Sequence, residues 1–139
     1  MIDSWLLDTG PMVAYLLARD PAHARASSAI DTFRGQFITT TAVITEVMYF
    51  VRRSPDGPDR VIGLLHATQT QVVDLSELRA LDACARLMRR YFDTPMDFAD
   101  ATLVWTAEAL GVFDVCTLDR RGFSIFRPTS GKRFRLVLS

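Results

Sequence analysis

The stretch Trp5-Leu6-Leu7-Asp8-Thr9-Gly10-Pro11 constrains this chain more than any other. A short apolar run ends on a carboxylate, and after Gly10 and Pro11 the residues Met12, Val13, Tyr15, Leu16 and Leu17 recur at helical spacing. This pattern predicts a buried strand that turns directly into a helix, with Asp8 at the strand's C-terminal end. In an open parallel α/β sheet that edge is where ligands bind. A single carboxylate there is weak evidence, because turns and helix caps also use Asp. What matters is whether other acids reach the same edge.

The rest of the chain alternates strand and helix patterns. Arg19-Asp20-Pro21 breaks the first helix, since proline cannot continue a helix interior. An Ala-rich helix is predicted over 22–33, with Ala26, Ala29, Ile30 and Phe33 on one side, then a strand over 36–39. Thr40 or Thr41 can cap a third helix whose apolar face is Val43, Val47, Phe50 and Val51 and which carries Glu46. Beyond the turn-rich 54–58, the pattern predicts a helix over 59–68 and a strand over 71–75. Ser76 is the expected cap of the next helix, with the stripe Leu78, Leu81, Ala85, Met88 and Phe92. Asp97 is expected to cap a helix over 98–110 that Gly111 closes, leading into a strand over 112–118. The segments 123–127 and 134–138 read as two short strands, an antiparallel appendage to one domain spanning 1–139. The whole is an α/β chain, predicted as a three-layer α/β/α sandwich around a mainly parallel central sheet.

Composition narrows the function. The formal net charge is zero, so nucleic-acid contact would need a local basic patch. Between Arg120 and Ser139 lie Arg120, Arg121, Arg127, Lys132, Arg133 and Arg135 with no acid among them. Arg120, Arg121 and Arg127 are the candidate RNA contacts. The apolar start is too short for a membrane span and lacks a basic leader, which predicts a soluble, cytoplasmic protein without membrane association. Cys84 and Cys116 have no CxxC spacing or paired histidine, so they read as small buried hydrophobes.

The predicted topology can bring four acids together. Asp8 and Asp119 follow strands, Glu46 lies in a helix after a strand, and Asp100 opens the helix before one. Clustered carboxylates raise one another's pKa, so a stable cluster implies a bound cation. An all-oxygen site selects a hard ion, Mg²⁺ or Mn²⁺. Such an ion can activate water and neutralise charge on a phosphoryl oxygen, which points to phosphodiester hydrolysis.

Four blocks carry a family resemblance: Leu6 to Val13, Thr41 to Val47, Met96 to Leu103 and Cys116 to Phe123. In order, they resemble the signature blocks of PIN domains. The resemblance implies Mg²⁺- or Mn²⁺-dependent cleavage of single-stranded or structured RNA, with Asp8, Glu46, Asp100 and Asp119 as catalytic metal ligands. Thr117 matches the family's hydroxyl residue near the metal, and Thr9 is a secondary candidate. Either Asp97 or Asp100 can count as the third acid; the Asp100-Ala101 pair matches better, which leaves Asp97 as cap or helper. Many small bacterial members are VapC-type toxins, so a cognate antitoxin and a homodimer are implied as well.

Two other classes compete. A PIN-like module that grips RNA or a protein without cutting would share the fold, although a complete acid set argues against it. Phosphotransfer on an aspartate is disfavoured: a haloacid-dehalogenase-type site wants a second Asp where Gly10 stands, and a receiver wants a Lys after a late strand, whereas Lys132 lies in a C-terminal loop.

Overall fold

Leu6 and Leu7 are wholly buried because β1 (Ser4–Leu7) lies in the middle of its sheet. A parallel strand covered on both faces has no solvent side, so its residues read as a continuous apolar run. The computed structural model describes residues 2–138. The chain continues through α1 (Thr9–Leu16), α2 (His23–Thr32), β2 (Gln36–Thr40), α3 (Thr41–Val51), α4 (Gly57–Ala67) and β3 (Gln71–Val73). It then forms α5 (Leu78–Arg90), α6 (Phe98–Leu110), β4 (Asp114–Cys116), α7 (Arg120–Ile125) and β5 (Arg135–Leu136).

The strands lie in the order β3-β2-β1-β4-β5 and every neighbouring pair is parallel. From β1 the chain moves outward to β2 and β3, then crosses back to add β4 and β5 on the other side. The right-handed rule for such crossovers sends α1 to α4 to one face of the sheet and α5 and α6 to the other. The packing agrees: α1 lies on α2 and α3, α3 on α4, and α5 on α6. The direction reverses between β1 and β4, whose C-terminal ends therefore flank the crevice where such sheets bind ligands. This is the expected three-layer sandwich. No helix among the described residues is long and apolar enough to cross a membrane.

Five local expectations are corrected. Residues 123–127 are not a strand: Asp119 accepts the Gly122 N–H (3.0 Å) and starts α7, which turns Phe123 into the core, with Phe126 buried just after it. Nor is the tail an antiparallel appendage. β5 extends the main sheet in parallel, in a register that pairs Asp114 with Arg135 and is held by a two-pronged bond between their side chains (2.9 and 2.7 Å). On α5 the buried face is Ala80, Cys84 and Leu87, while Leu78 and Phe92 are 77% and 72% exposed. Small side chains at 80 and 84 face α6, while Leu81 and Met88 of the predicted stripe stay half-buried at the flank of that face. Leu78 opens the helix, behind Glu77 rather than Ser76 as its cap. Phe50 likewise faces solvent, and α3 buries Val43, Val47 and Val51.

Candidate active site

Each acid is delivered by local geometry that the sequence encodes. Asp8 leaves β1 with extended backbone and caps α1, its Oδ1 accepting the Thr9 N–H (2.8 Å). Pro11 is tolerated there because the first turn of a helix leaves N–H groups unpaired anyway. The other oxygen, Oδ2, accepts the Thr117 hydroxyl (2.7 Å), and Thr117 Oγ1 in turn accepts the Asp119 N–H (2.9 Å). One hydroxyl thus ties the end of β1 to the end of β4. On the other side the Thr9 hydroxyl donates to Glu46 Oε1 (2.7 Å), joining α1 to α3.

Asp97 and Asp100 form a reciprocal cap at the start of α6: Asp97 Oδ1 accepts the Asp100 N–H (2.7 Å), and Asp100 Oδ2 accepts the Asp97 N–H (3.1 Å). Such a box satisfies two N–H groups that a helix start leaves unpaired. Gly111 closes α6 in the left-handed region at φ +69°.

The electrostatics centre on Asp8. Burial pushes the Asp8 carboxyl up to about 6, against the opposing bonds from Thr117 and Thr9, and the charges of Asp97 and Asp119 add to the rise. Asp100 is raised to about 8 by burial, then by Asp8 and Asp97. Glu46 is raised by burial and by Asp97 and Asp8, with the Thr9 bond working the other way. Among the described residues, no arginine or lysine offsets any of these shifts. The structure therefore brings Glu46, Asp97, Asp100 and Asp119 each within electrostatic reach of Asp8, at the C-terminal end of β1. Among the described residues, however, no three acidic, histidine or cysteine side chains are gathered into a ready-made metal cage. The acids are linked instead through hydrogen bonds: Asp97 directly to Asp100, and Asp8 through Thr9 to Glu46 and through Thr117 to Asp119.

A family model for the PIN domain matches residues 5–127, a span that holds all five acids and ends before β5. The chain belongs to the PIN domain family. It is 31% identical over 134 residues to Ribonuclease VapC26 from Mycobacterium tuberculosis (strain ATCC 25618 / H37Rv), covering 95% of this chain and 98% of the relative. The fold is similar to that of Mycobacterium tuberculosis VapC20, a Sarcin-Ricin loop cleaving toxin (TM-score 0.72, 16% identity, 84% of this chain and 91% of that one). It is also similar to a chain of DNA-bound VapBC from Salmonella typhimurium (TM-score 0.62, 20% identity, 97% of this chain and 98% of that one).

In this PIN domain the basic candidates divide. Arg120 and Arg121 are exposed in the first turn of α7, directly after Asp119. Arg127 is instead turned back on the protein, its Nη1 donating to the carbonyls of Ser124 (3.3 Å) and Ile125 (3.0 Å). A guanidinium suits the negative end of a helix, so Arg127 closes α7. One interaction had no sequence signal: the buried Thr40 and Thr102 hydroxyls meet at 2.8 Å, linking the end of β2 to α6. Thr40 reads from sequence only as a cap, which it also is, accepting the Val43 N–H (3.3 Å).

Proposed function

We propose that this chain is a divalent-metal-dependent endoribonuclease that hydrolyses RNA phosphodiesters and serves as the toxin of a type II toxin–antitoxin pair. The observation that carries the reading is the buried Asp8 carboxyl, raised to about 6 among other acids, with burial rather than a basic neighbour setting its charge. Membership of the PIN family and the likeness to Ribonuclease VapC26 supply the substrate class. The likeness to VapBC supports an antitoxin as partner.

The donor set fits Mg²⁺ or Mn²⁺. Every donor is an oxygen, and Mg²⁺ keeps several waters while using few carboxylates, so it does not need three side chains gathered into a closed cage. Asp8, Glu46, Asp100 and Asp119 would hold the ion, with Asp97 acting from the rim. When bound, a divalent ion supplies a more acidic water and neutralises charge growing on the phosphodiester.

The chain's own residues prepare that site. Thr9 and Thr117 fix the two oxygens of Asp8, and Thr9 also aims Glu46, so the principal carboxylates are oriented before substrate arrives. Preorganised groups of this kind lower the barrier because they need not reorganise during reaction. Asp100, whose carboxyl is raised to about 8, can hold a proton near neutral pH until a cation displaces it. Arg120 and Arg121 line the rim where the RNA backbone would approach. The protein acts in the cytoplasm, as a homodimer that a cognate antitoxin restrains.

The test is direct. Purified protein should cleave single-stranded RNA with Mg²⁺ or Mn²⁺ and stop on addition of EDTA, and Asp8→Asn should be slower by about 100-fold or more. Cleavage that persists in EDTA, or an Asn variant as fast as wild type, contradicts the proposal.

A further inference from the structure

Beside the acids, across the first turn of α6, lies a second feature that the proposed chemistry does not use. A cavity of about 190 Å³ is lined by Thr41, Ala42 and Thr45 of α3, Leu75 just past β3, and Phe98 and Thr102 of α6. Phe98 directly follows the cap residue Asp97 and leaves 41% of its surface exposed. The helices that build the cavity also carry acids: α3 holds Glu46, the neighbour of Thr45, and α6 holds Asp100. On α6, Phe98 and Thr102 are one turn apart on one side, whereas Asp100 falls between them on the opposite side. The N-terminal turn of α6 is thus a ridge with the acids on one flank and the cavity on the other, roughly 10 Å apart.

We propose that this cavity is a nucleobase subsite for the RNA strand being cut, with Phe98 as its stacking platform. The proposal rests on the nuclease reading given above and specifies how that site holds its substrate. An exposed phenyl ring offers a flat apolar face on which a splayed base can stack, the way single-stranded RNA is gripped. The hydroxyls decide which bases fit. Thr41 donates its proton to Asp74 Oδ1 (2.9 Å) and Thr45 donates to the Thr41 carbonyl (2.9 Å), so both exposed hydroxyls offer only lone pairs to a ligand. Thr102 is buried and turned to the Ala99 carbonyl (2.7 Å). A rim of acceptors selects a base that donates, and the exocyclic amines of adenine, cytosine and guanine supply more donors than uracil. The subsite therefore takes an amino-bearing base a nucleotide or two from the scissile phosphate and disfavours uracil.

The experiment compares cut-site profiles on a randomised single-stranded RNA pool, and KM and kcat on one good substrate, for wild type, Phe98→Ala, Phe98→Trp and Thr45→Val. Anisotropy binding of a short RNA in EDTA is run alongside. Wild type should show uracil depleted at one position beside the cut. Phe98→Ala should flatten that preference, raise KM and weaken binding about ten-fold or more, while Phe98→Trp restores both. Thr45→Val, which removes one of the two exposed acceptors, should weaken the discrimination against uracil and keep most of the binding. A Phe98→Ala enzyme with wild-type profile, KM and binding overturns the subsite while leaving the nuclease reading intact. Wild type that neither cuts nor binds RNA overturns both. Loss confined to the complex with a protein partner assigns the cavity to that partner and overturns the subsite as well.

Discussion

Replacing Asp8 by Asn should make the metal-free protein more stable at neutral and alkaline pH even as it stops RNA cleavage. Asp8 is 6% exposed, and its carboxyl is raised from an ordinary 3.8 to about 6, chiefly by burial. Once ionised, such a group costs the folded state about 3 kcal/mol. Asn removes that cost but gives back part of it. Its Oδ1 can still accept the Thr9 N–H, whereas its amide cannot accept the Thr117 hydroxyl, a loss of about 1 kcal/mol. The net gain is about 2 kcal/mol, large against a typical stability of about 5–15 kcal/mol.

The sign follows from linkage. With the folded pKa above the unfolded one, the native state binds more protons through this window, so wild-type stability falls as pH rises from about 4 to about 6. Asp100 extends the decline toward pH 8. The advantage of Asp8→Asn should accordingly be near its full size at pH 8 and small at pH 4. It should also reverse when millimolar Mn²⁺ is added, because a ligand that binds only the folded state stabilises wild type by mass action. Urea unfolding in EDTA at pH 4, 6 and 8, repeated with Mn²⁺, reads all of this. An Asn variant no more stable than wild type at pH 8, or with an advantage that pH leaves unchanged, refutes the reasoning.

Other outcomes follow from the same geometry. Thr117→Val, which removes the hydroxyl that orients Asp8, should lower cleavage about 10–100-fold, measured as kcat/KM on a short RNA. Thr40→Val should cost about 1–2 kcal/mol in thermal unfolding, because it removes both a helix cap and half of the buried pair with Thr102. Replacing Arg120 and Arg121 together by Gln should weaken RNA binding and flatten its salt dependence, the log–log slope falling by about one for each phosphate that is no longer neutralised. Arg127→Gln should leave that slope unchanged, since its guanidinium is spent on α7.

Much of the site could be read from the sequence because its signals are local. The cap Asp97, the stop Gly111 and the helix between them are set by residues within a few positions of each other, and α6 runs over Phe98–Leu110 as expected. The apolar run before Asp8 is likewise explicit about a strand buried on both faces. What escaped were features fixed at a distance. Nothing near residue 123 tells that Asp119 starts a helix rather than ending a strand, and β5 is placed by a partner strand and by Arg135 reaching Asp114. On α5 two stripes at helical spacing compete, one through Leu78, Leu81, Ala85 and Met88 and one through Ala80, Cys84 and Leu87, and packing against α6 rather than the sequence selects the second. The Thr40–Thr102 bond spans 62 residues and is invisible until the sheet is assembled.

The central claim is that acids far apart in sequence form one pocket whose charge calls for a divalent ion. Calorimetric titration of Mn²⁺ into the purified protein at pH 7.5 tests it most directly. The account predicts one saturable site per chain, with a proton released from Asp100 as the ion enters, and no such site in Asp8→Asn. Absence of binding in wild type, or equal binding in the Asn variant, contradicts it.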